Sequence, residues 1–190
     1  MTNYPHKEES RDDDYEYKSM RDSGYYLLMD EITQESCADA IKWILEESLS
    51  KKKKKHLNLI ISSGGGDLSS AFALVDIIKG AKMPVHTTGI GLVGSAGLVI
   101  FLAGAYRVLT PNTSVLSHQF SWGADGKEHE LFAVMKEFTL TKNRMLTHYR
   151  KCTGLKDSEI KKYLLPPEDV WLSADEALKL HICDEIKEMY

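Results

Sequence analysis

Three side chains in this sequence carry chemistry of interest, and a glycine turn joins them. Ser95 is the single hydroxyl in a small and apolar run, Gly91-Leu-Val-Gly-Ser-Ala-Gly-Leu-Val-Ile-Phe-Leu-Ala-Gly-Ala105. A serine there either caps the first turn of a buried helix or is held by that helix as a nucleophile, and its neighbours alone favour the cap. His118 ends a strand-like stretch, Thr113-Ser-Val-Leu-Ser117, before Gln119 and a loop, so its ring can face a cleft as a base. Asp169 stands beside Trp171 and just ahead of a helix start at Ser173. A carboxylate partly buried by that indole could orient an imidazole; the local alternative is a plain surface turn. Ser63-Gly64-Gly65-Gly66-Asp67 lacks the Gly-Lys-Ser/Thr ending of a phosphate loop, and Asp67 would repel phosphate. Its glycines can still turn the backbone sharply and aim N–H groups at a developing oxyanion, or simply form a tight turn capped at Asp67.

These residues need elements to hold them. Tyr25–Met29, Leu57–Ile61, Pro84–Gly89, Tyr106–Leu109 and Ser114–Ser117 read as strands, with a final strand near Ile182–Ile186. Helices are expected over about 34–49 behind a Thr33 cap, from Leu68 to Gly80, from about 127 to 151, and near 174–181. Strands alternating with helices predict an α/β fold with a largely parallel sheet. The 127–151 helix is long enough to project from the body. Residues 1–24 are polar and acidic and read as a flexible N-terminal arm, leaving residues 25–190 as one domain. Lys51–Lys55 reads as a solvated connection, or else as an anion-binding patch.

Composition narrows the class. The 190 residues are 43% hydrophobic, enough for one core. With 24 basic and 28 acidic residues, the net charge of −4 gives no reason to expect nucleic acid or an anionic membrane as partner. Three widely spaced cysteines, Cys37, Cys152 and Cys183, form no disulfide framework and fit a reducing compartment. The histidines and cysteines share no ligand spacing, so no metal site and no cofactor are expected. No signal pattern opens the chain and no apolar run reaches membrane-spanning length, so the reading is a soluble cytoplasmic protein.

Four ordered segments carry a resemblance: Ile61-Ser-Ser-Gly-Gly-Gly66, Gly94-Ser-Ala-Gly97, Pro111-Asn-Thr-Ser-Val-Leu-Ser-His-Gln119 and Asp169-Val-Trp-Leu-Ser-Ala-Asp-Glu-Ala177. In order and spacing they resemble the Clp protease proteolytic subunit (ClpP) family, over roughly residues 25–187. The resemblance implies a ClpP/crotonase-like fold of repeated β-β-α units with a protruding handle helix, the handle region being about 120–151. It implies a serine endopeptidase with Ser95 as nucleophile, His118 as general base, Asp169 as orienting carboxylate and the N–H groups of Gly66 and Ala96 as oxyanion hole. It places an extended peptide substrate beside Gly65 and a second strand over Phe120–Lys127, with Phe120, Ser121 and Trp122 in contact. Homo-oligomeric rings of seven or fourteen subunits, unfolded protein substrates and an AAA+ unfoldase partner are implied with it. Departures fall at Gly64, Asp67, Ala96, Phe120 and Glu168, and none removes a catalytic atom.

Three other readings compete: a limited-processing protease such as a capsid-maturation enzyme, a non-catalytic subunit of a mixed ring, and a crotonase-type enzyme acting on acyl-CoA. Broad peptide degradation against one or two discrete cuts separates the first. Complete candidate triad residues argue against the second, and the absence of a CoA-binding feature against the third.

Overall fold

A computed structural model describes residues 20–51 and 54–189. Most of the expected acidic arm, residues 1–19, and two of the five lysines lie outside the described residues. Residues 20–24 form a helical turn against the sheet, with the Gly24 carbonyl accepting from Asn58 N–H at 2.8 Å. Lys54 is ion-paired with Glu47.

Strand β1 (Tyr25–Leu28) is followed by α1 (Gln34–Leu49), β2 (Leu57–Ser63), α2 (Leu68–Gly80), β3 (Val85–Gly94) and α3 (Ala96–Phe101). Then come β4 (Arg107–Leu109), β5 (Ser114–Ser117), α4 (Glu128–Thr153), α5 (Asp157–Tyr163), β6 (Val170–Ser173), α6 (Ala174–Lys179) and β7 (Glu185–Ile186). The helix starts follow from side-chain chemistry. Thr33 and Ser173 build reciprocal capping boxes with Ser36 and Glu176, and Asp67 accepts from Ser70 N–H at 2.7 Å.

The sheet runs β1-β2-β3-β4-β7, all parallel, and β5 branches from it. The branch is made by β3, the longest strand. Its first half, Thr87–Gly89, pairs with β4; its second half, Leu92–Gly94, pairs with β5. An antiparallel strand, β6, then adds to β5 with Val170 opposite Ser117. Leu59, Ile61, Leu74, Leu98, Val99, Ile100 and Phe101 sit in one continuous core between sheet and helices. Arg107 pins the far edge: its guanidinium bonds Asp184 at 2.7 and 3.0 Å and the Cys152 and His181 carbonyls at 2.9 and 3.1 Å.

The 26 residues of α4 span about 39 Å at the standard rise. Its C-terminal half is rooted in the core through Thr141, Met145, His148 and Tyr149, and its N-terminal half is mostly exposed. That is the expected projecting helix. The expected strand over Phe120–Lys127 does not form: residues 120–127 have no ladder partner, and the segment turns through Gly126 at φ 143°. Two elements had no sequence expectation, the short α5 and β6. The final strand is shorter than expected, and β3 runs five residues further.

Candidate active site

Parallel strands end on the same side of a sheet, and the candidate residues sit at those ends. β3 and β5 run in register through Gly94 and Leu116, so Ser95 leaves β3 beside the point where His118 leaves β5. The link is direct: Ser95 N–H donates to the Leu116 carbonyl at 2.9 Å. Ser63, at the end of β2, pairs with Val93, which brings the glycine turn alongside.

Ser95 has φ 49° and ψ −120°, a conformation that costs a non-glycine residue about 1–3 kcal/mol. It precedes α3 in the N-cap position, yet its hydroxyl makes no capping hydrogen bond. The simple capping role that the local sequence favours is therefore not what the side chain does. Ser95 instead lines a cleft of about 390 Å³. Gly65 lies directly behind it. A Cβ on Gly65 would stand 2.6 Å from the Ser95 Cβ, and Gly65 itself adopts φ 118°.

Gly66, at φ 144°, forms a lone parallel bridge with Ile32. Ile32 N–H donates to the Gly65 carbonyl at 2.8 Å, and Asp67 N–H donates to the Ile32 carbonyl at 2.6 Å. The bridge consumes the polar groups on either side of Gly66 N–H and leaves that N–H over. Ala96 N–H, at the first position of α3, is one of the donors a helix start cannot pair internally. Among the described residues neither group has a protein acceptor, and both residues line the cleft.

His118 lines the same cleft, half-buried. Its Nδ1–H donates to the Gln119 carbonyl at 2.6 Å. That bond sets the tautomer of the neutral ring and leaves Nε2 as a bare acceptor, the arrangement a base requires. Gln119 is itself fixed, through its N–H to the Pro166 carbonyl and its Nε2 to the Leu165 carbonyl, both at 3.2 Å. Its role as the partner of His118 had no sequence signal, because a backbone carbonyl has none.

Asp169 is placed differently from the other candidates. It immediately precedes Val170, which pairs with Ser117, so its backbone lies beside that of His118. Its carboxylate is exposed, does not line the cleft and makes no hydrogen bond to His118. Trp171 does not bury it: β6 alternates, and the indole is 57% exposed. Thus Ser95, His118, Gly66 and Ala96 are brought together, with Gly65 packed behind, and Asp169 stands outside them.

Phe120, Ser121 and Trp122 line the cleft as irregular backbone rather than as a strand. Trp122 and Phe120 pack on Phe138 of α4, with ring centroids 4.6 and 5.3 Å apart. Val134, Thr141, Met145 and Tyr149 continue that wall. Their spacing of seven, four and four marks one helix face, a signal readable in the sequence as core or interface but not as a cleft wall. The carboxylates on the lining are Asp67 and Glu137. Two Ser70 hydrogen bonds hold the Asp67 carboxyl below the usual range, so it is ionised at neutral pH. Glu137 is bonded to Arg144 at 3.0 Å and Thr141 at 2.8 Å. Among the described residues no group of three or more His, Cys, Asp or Glu could hold a metal ion.

A hydroxyl on a strained turn, an imidazole with a bare Nε2 and two uncommitted N–H groups around one cleft can perform acyl transfer through a serine. Comparison with known proteins points the same way. The Clp protease family model matches residues 7–189. The ATP-dependent Clp protease proteolytic subunit 1 of Chlamydia caviae is 33% identical over 175 residues, covering 89% of each chain. The ATP-dependent Clp protease proteolytic subunit 2 of Treponema denticola is 31% identical over 188 residues, covering 97% of this chain and 92% of that one. The chain belongs to the Clp protease family, and it is a peptidase of that family.

Proposed function

We propose that Ser95 is the nucleophile of a serine endopeptidase that serves as the proteolytic subunit of an ATP-dependent Clp-type protease. The observation that carries the reading is the strained turn at Ser95, which spends conformational energy to hold an unbonded hydroxyl in the cleft. His118 takes the hydroxyl proton through Nε2 as Oγ attacks a peptide carbonyl. Gly66 and Ala96 N–H groups receive the oxyanion. His118 returns the proton to the leaving amine, and water repeats the sequence on the acyl-enzyme. Asp169 orients His118 once the ring turns from the Gln119 carbonyl towards it, exchanging a neutral acceptor for a charged one. The substrate is an extended peptide lying beside Gly65 and the 120–122 segment.

The exposed apolar side chains on α4, Leu131, Phe132, Met135 and Leu140, are the contact by which subunits form homo-oligomeric rings of seven or fourteen. An AAA+ unfoldase feeds unfolded chains to the resulting chamber; the relatives' names support only that the protease is ATP-dependent. The setting is cytoplasmic; no helix among the described residues is long and apolar enough to cross a membrane.

A second reading, a non-cutting member of a mixed ring, rests on one observation: His118 is bonded to Gln119 and not to Asp169. Intact-mass spectrometry after fluorophosphonate treatment separates the two. The expected result is one adduct per chain, absent from Ser95→Ala and His118→Ala. No adduct on folded, assembled protein would leave the non-cutting subunit.

A further inference from the structure

The helix that presents Ser95 is only six residues long and wholly buried. Its C-terminal carbonyls cannot reach water, so each needs a donor from the protein. Leu98 O accepts from Leu102 N–H at 3.0 Å. Phe101 O accepts from Gly104 N–H at 3.2 Å and from the Thr87 hydroxyl at 2.7 Å. The donor that would reach Val99 O in a longer helix is Ala103 N–H, and it goes to Ile100 O at 3.0 Å. Val99 O is met instead by the imidazole of His148, from α4, with Nε2 at 2.8 Å.

His148 is built for that bond. Its ring is buried and stands at 82° to that of Phe72, with centroids 5.8 Å apart. A carbonyl can only accept, so Nε2 carries the hydrogen and Nδ1 is the bare nitrogen, with Cys152 Sγ 3.8 Å from Nδ1 and 3.9 Å from Nε2. Burial keeps the ring neutral, as this tautomer requires. On the same helix, Thr141, Met145 and Tyr149 form part of the wall of the Ser95 cleft. Helix α4 therefore holds α3 from behind and shapes the cleft from the front.

We propose that His148 is a positioning residue for the nucleophile, fixing α3, and with it Ser95 Oγ and Ala96 N–H, by donating to the Val99 carbonyl. The proposal rests on the reading of Ser95 as nucleophile. An apolar residue of similar size would fill the space and leave Val99 O buried and unpaired. The nucleophile would then lose its fixed seat without any change in what binds substrate.

The test compares His148→Leu and His148→Gln with the wild type. The readouts are the rate of fluorophosphonate labelling, kcat and KM on a short peptide, and amide hydrogen exchange over residues 96–103. In a folded His148→Leu, labelling and kcat are expected to fall between about tenfold and a hundredfold. KM stays within about twofold, since the cleft lining is intact, and exchange over 96–103 rises. His148→Gln, which keeps an N–H donor, restores most of each. A folded His148→Leu that labels at the wild-type rate overturns the proposal, as does a folded His148→Gln no better than His148→Leu. If His148→Leu does not fold, His148→Gln decides: a near wild-type rate supports donation, and a tenfold loss with unchanged exchange overturns it. If the wild type itself does not label, the serine-peptidase reading fails. Exchange over 96–103 still judges the link, raised in the leucine variant and restored in the glutamine variant if it holds, and unchanged if it does not.

Discussion

At the scale of single residues, the site depends on contacts that tolerate no added atom. Gly65→Ala would place a methyl 2.6 Å from the Ser95 Cβ at a φ of 118°. Moving the nucleophile by about 1 Å costs on the order of 100-fold, so peptidase turnover should fall at least that far, measured on a short fluorogenic peptide. The accompanying loss of stability should be about 1–3 kcal/mol by urea titration. Asp169 invites the opposite experiment, since its carboxylate stands away from the ring it would orient. Asp169→Asn should lower kcat about 100-fold or more if the carboxylate takes over from Gln119 in the working enzyme. An unchanged kcat would mean that the Gln119 carbonyl orients His118 throughout turnover. Local sequence did not single out Ser95 or His118, since the neighbours of Ser95 favour a cap and His118 shows only a strand end; the order and spacing of four segments, a resemblance to the Clp protease family, put them forward. The part played by Gln119 was not, because the group that acts is its main-chain oxygen. Whether Trp171 buries Asp169 was open in the sequence, with the surface turn favoured locally, because a four-residue strand alternates its faces and sequence alone does not say which face is inward.

At the scale of elements, the question is what holds α3, and the answer involves a titratable group. Burial, the largest influence, pulls the His148 imidazole down to about 4, against a smaller upward effect from its bond to Val99 O; Lys79 and Asp76 act in opposite directions. The unfolded chain therefore binds a proton near pH 6.5 that the folded chain refuses until about 4. This contribution is fully present above pH 6.5 and is lost as pH falls through that window, by about 3 kcal/mol at its end. Urea midpoints measured from pH 7 to pH 4 should decline in the wild type and decline less in His148→Gln. The long helices and their caps at Thr33, Asp67 and Ser173 were readable from spacing and capping chemistry. The seven-residue α5, which starts behind Lys156 rather than a capping side chain, and the four-residue β6 were not. The expected strand over 120–127 failed because an extended segment becomes a strand only beside a partner ladder, and the chain alone supplies none.

At the scale of the whole molecule, the parallel sheet followed from the alternation of strands and helices. Its branching did not, because nothing in β3 announces that its two halves pair with different neighbours. The projecting half of α4 gives the clearest test of assembly. Phe132 is 68% exposed, so Phe132→Asp should change the stability of the single chain by no more than about 0.5 kcal/mol. Analytical ultracentrifugation should nevertheless show a smaller species than the wild type, with peptidase activity reduced alongside. Unchanged sedimentation would remove α4 from the ring contact.

The turn after β2 and the turn into α3 interlock. A Cβ on Gly65 would meet Ser95, and a Cβ on Gly94 would stand 2.9 Å from the Gly64 carbonyl. Mutational drift at these places is penalised by packing, whether or not the chain cuts anything. The Ser95 hydroxyl is under no such constraint, because it caps nothing and bonds to nothing in the described protein. A descendant that lost its activity could shed that one oxygen in a single step and keep every glycine around it. In variants of this chain, then, the glycines report the survival of the fold, and the oxygen alone reports the survival of the reaction.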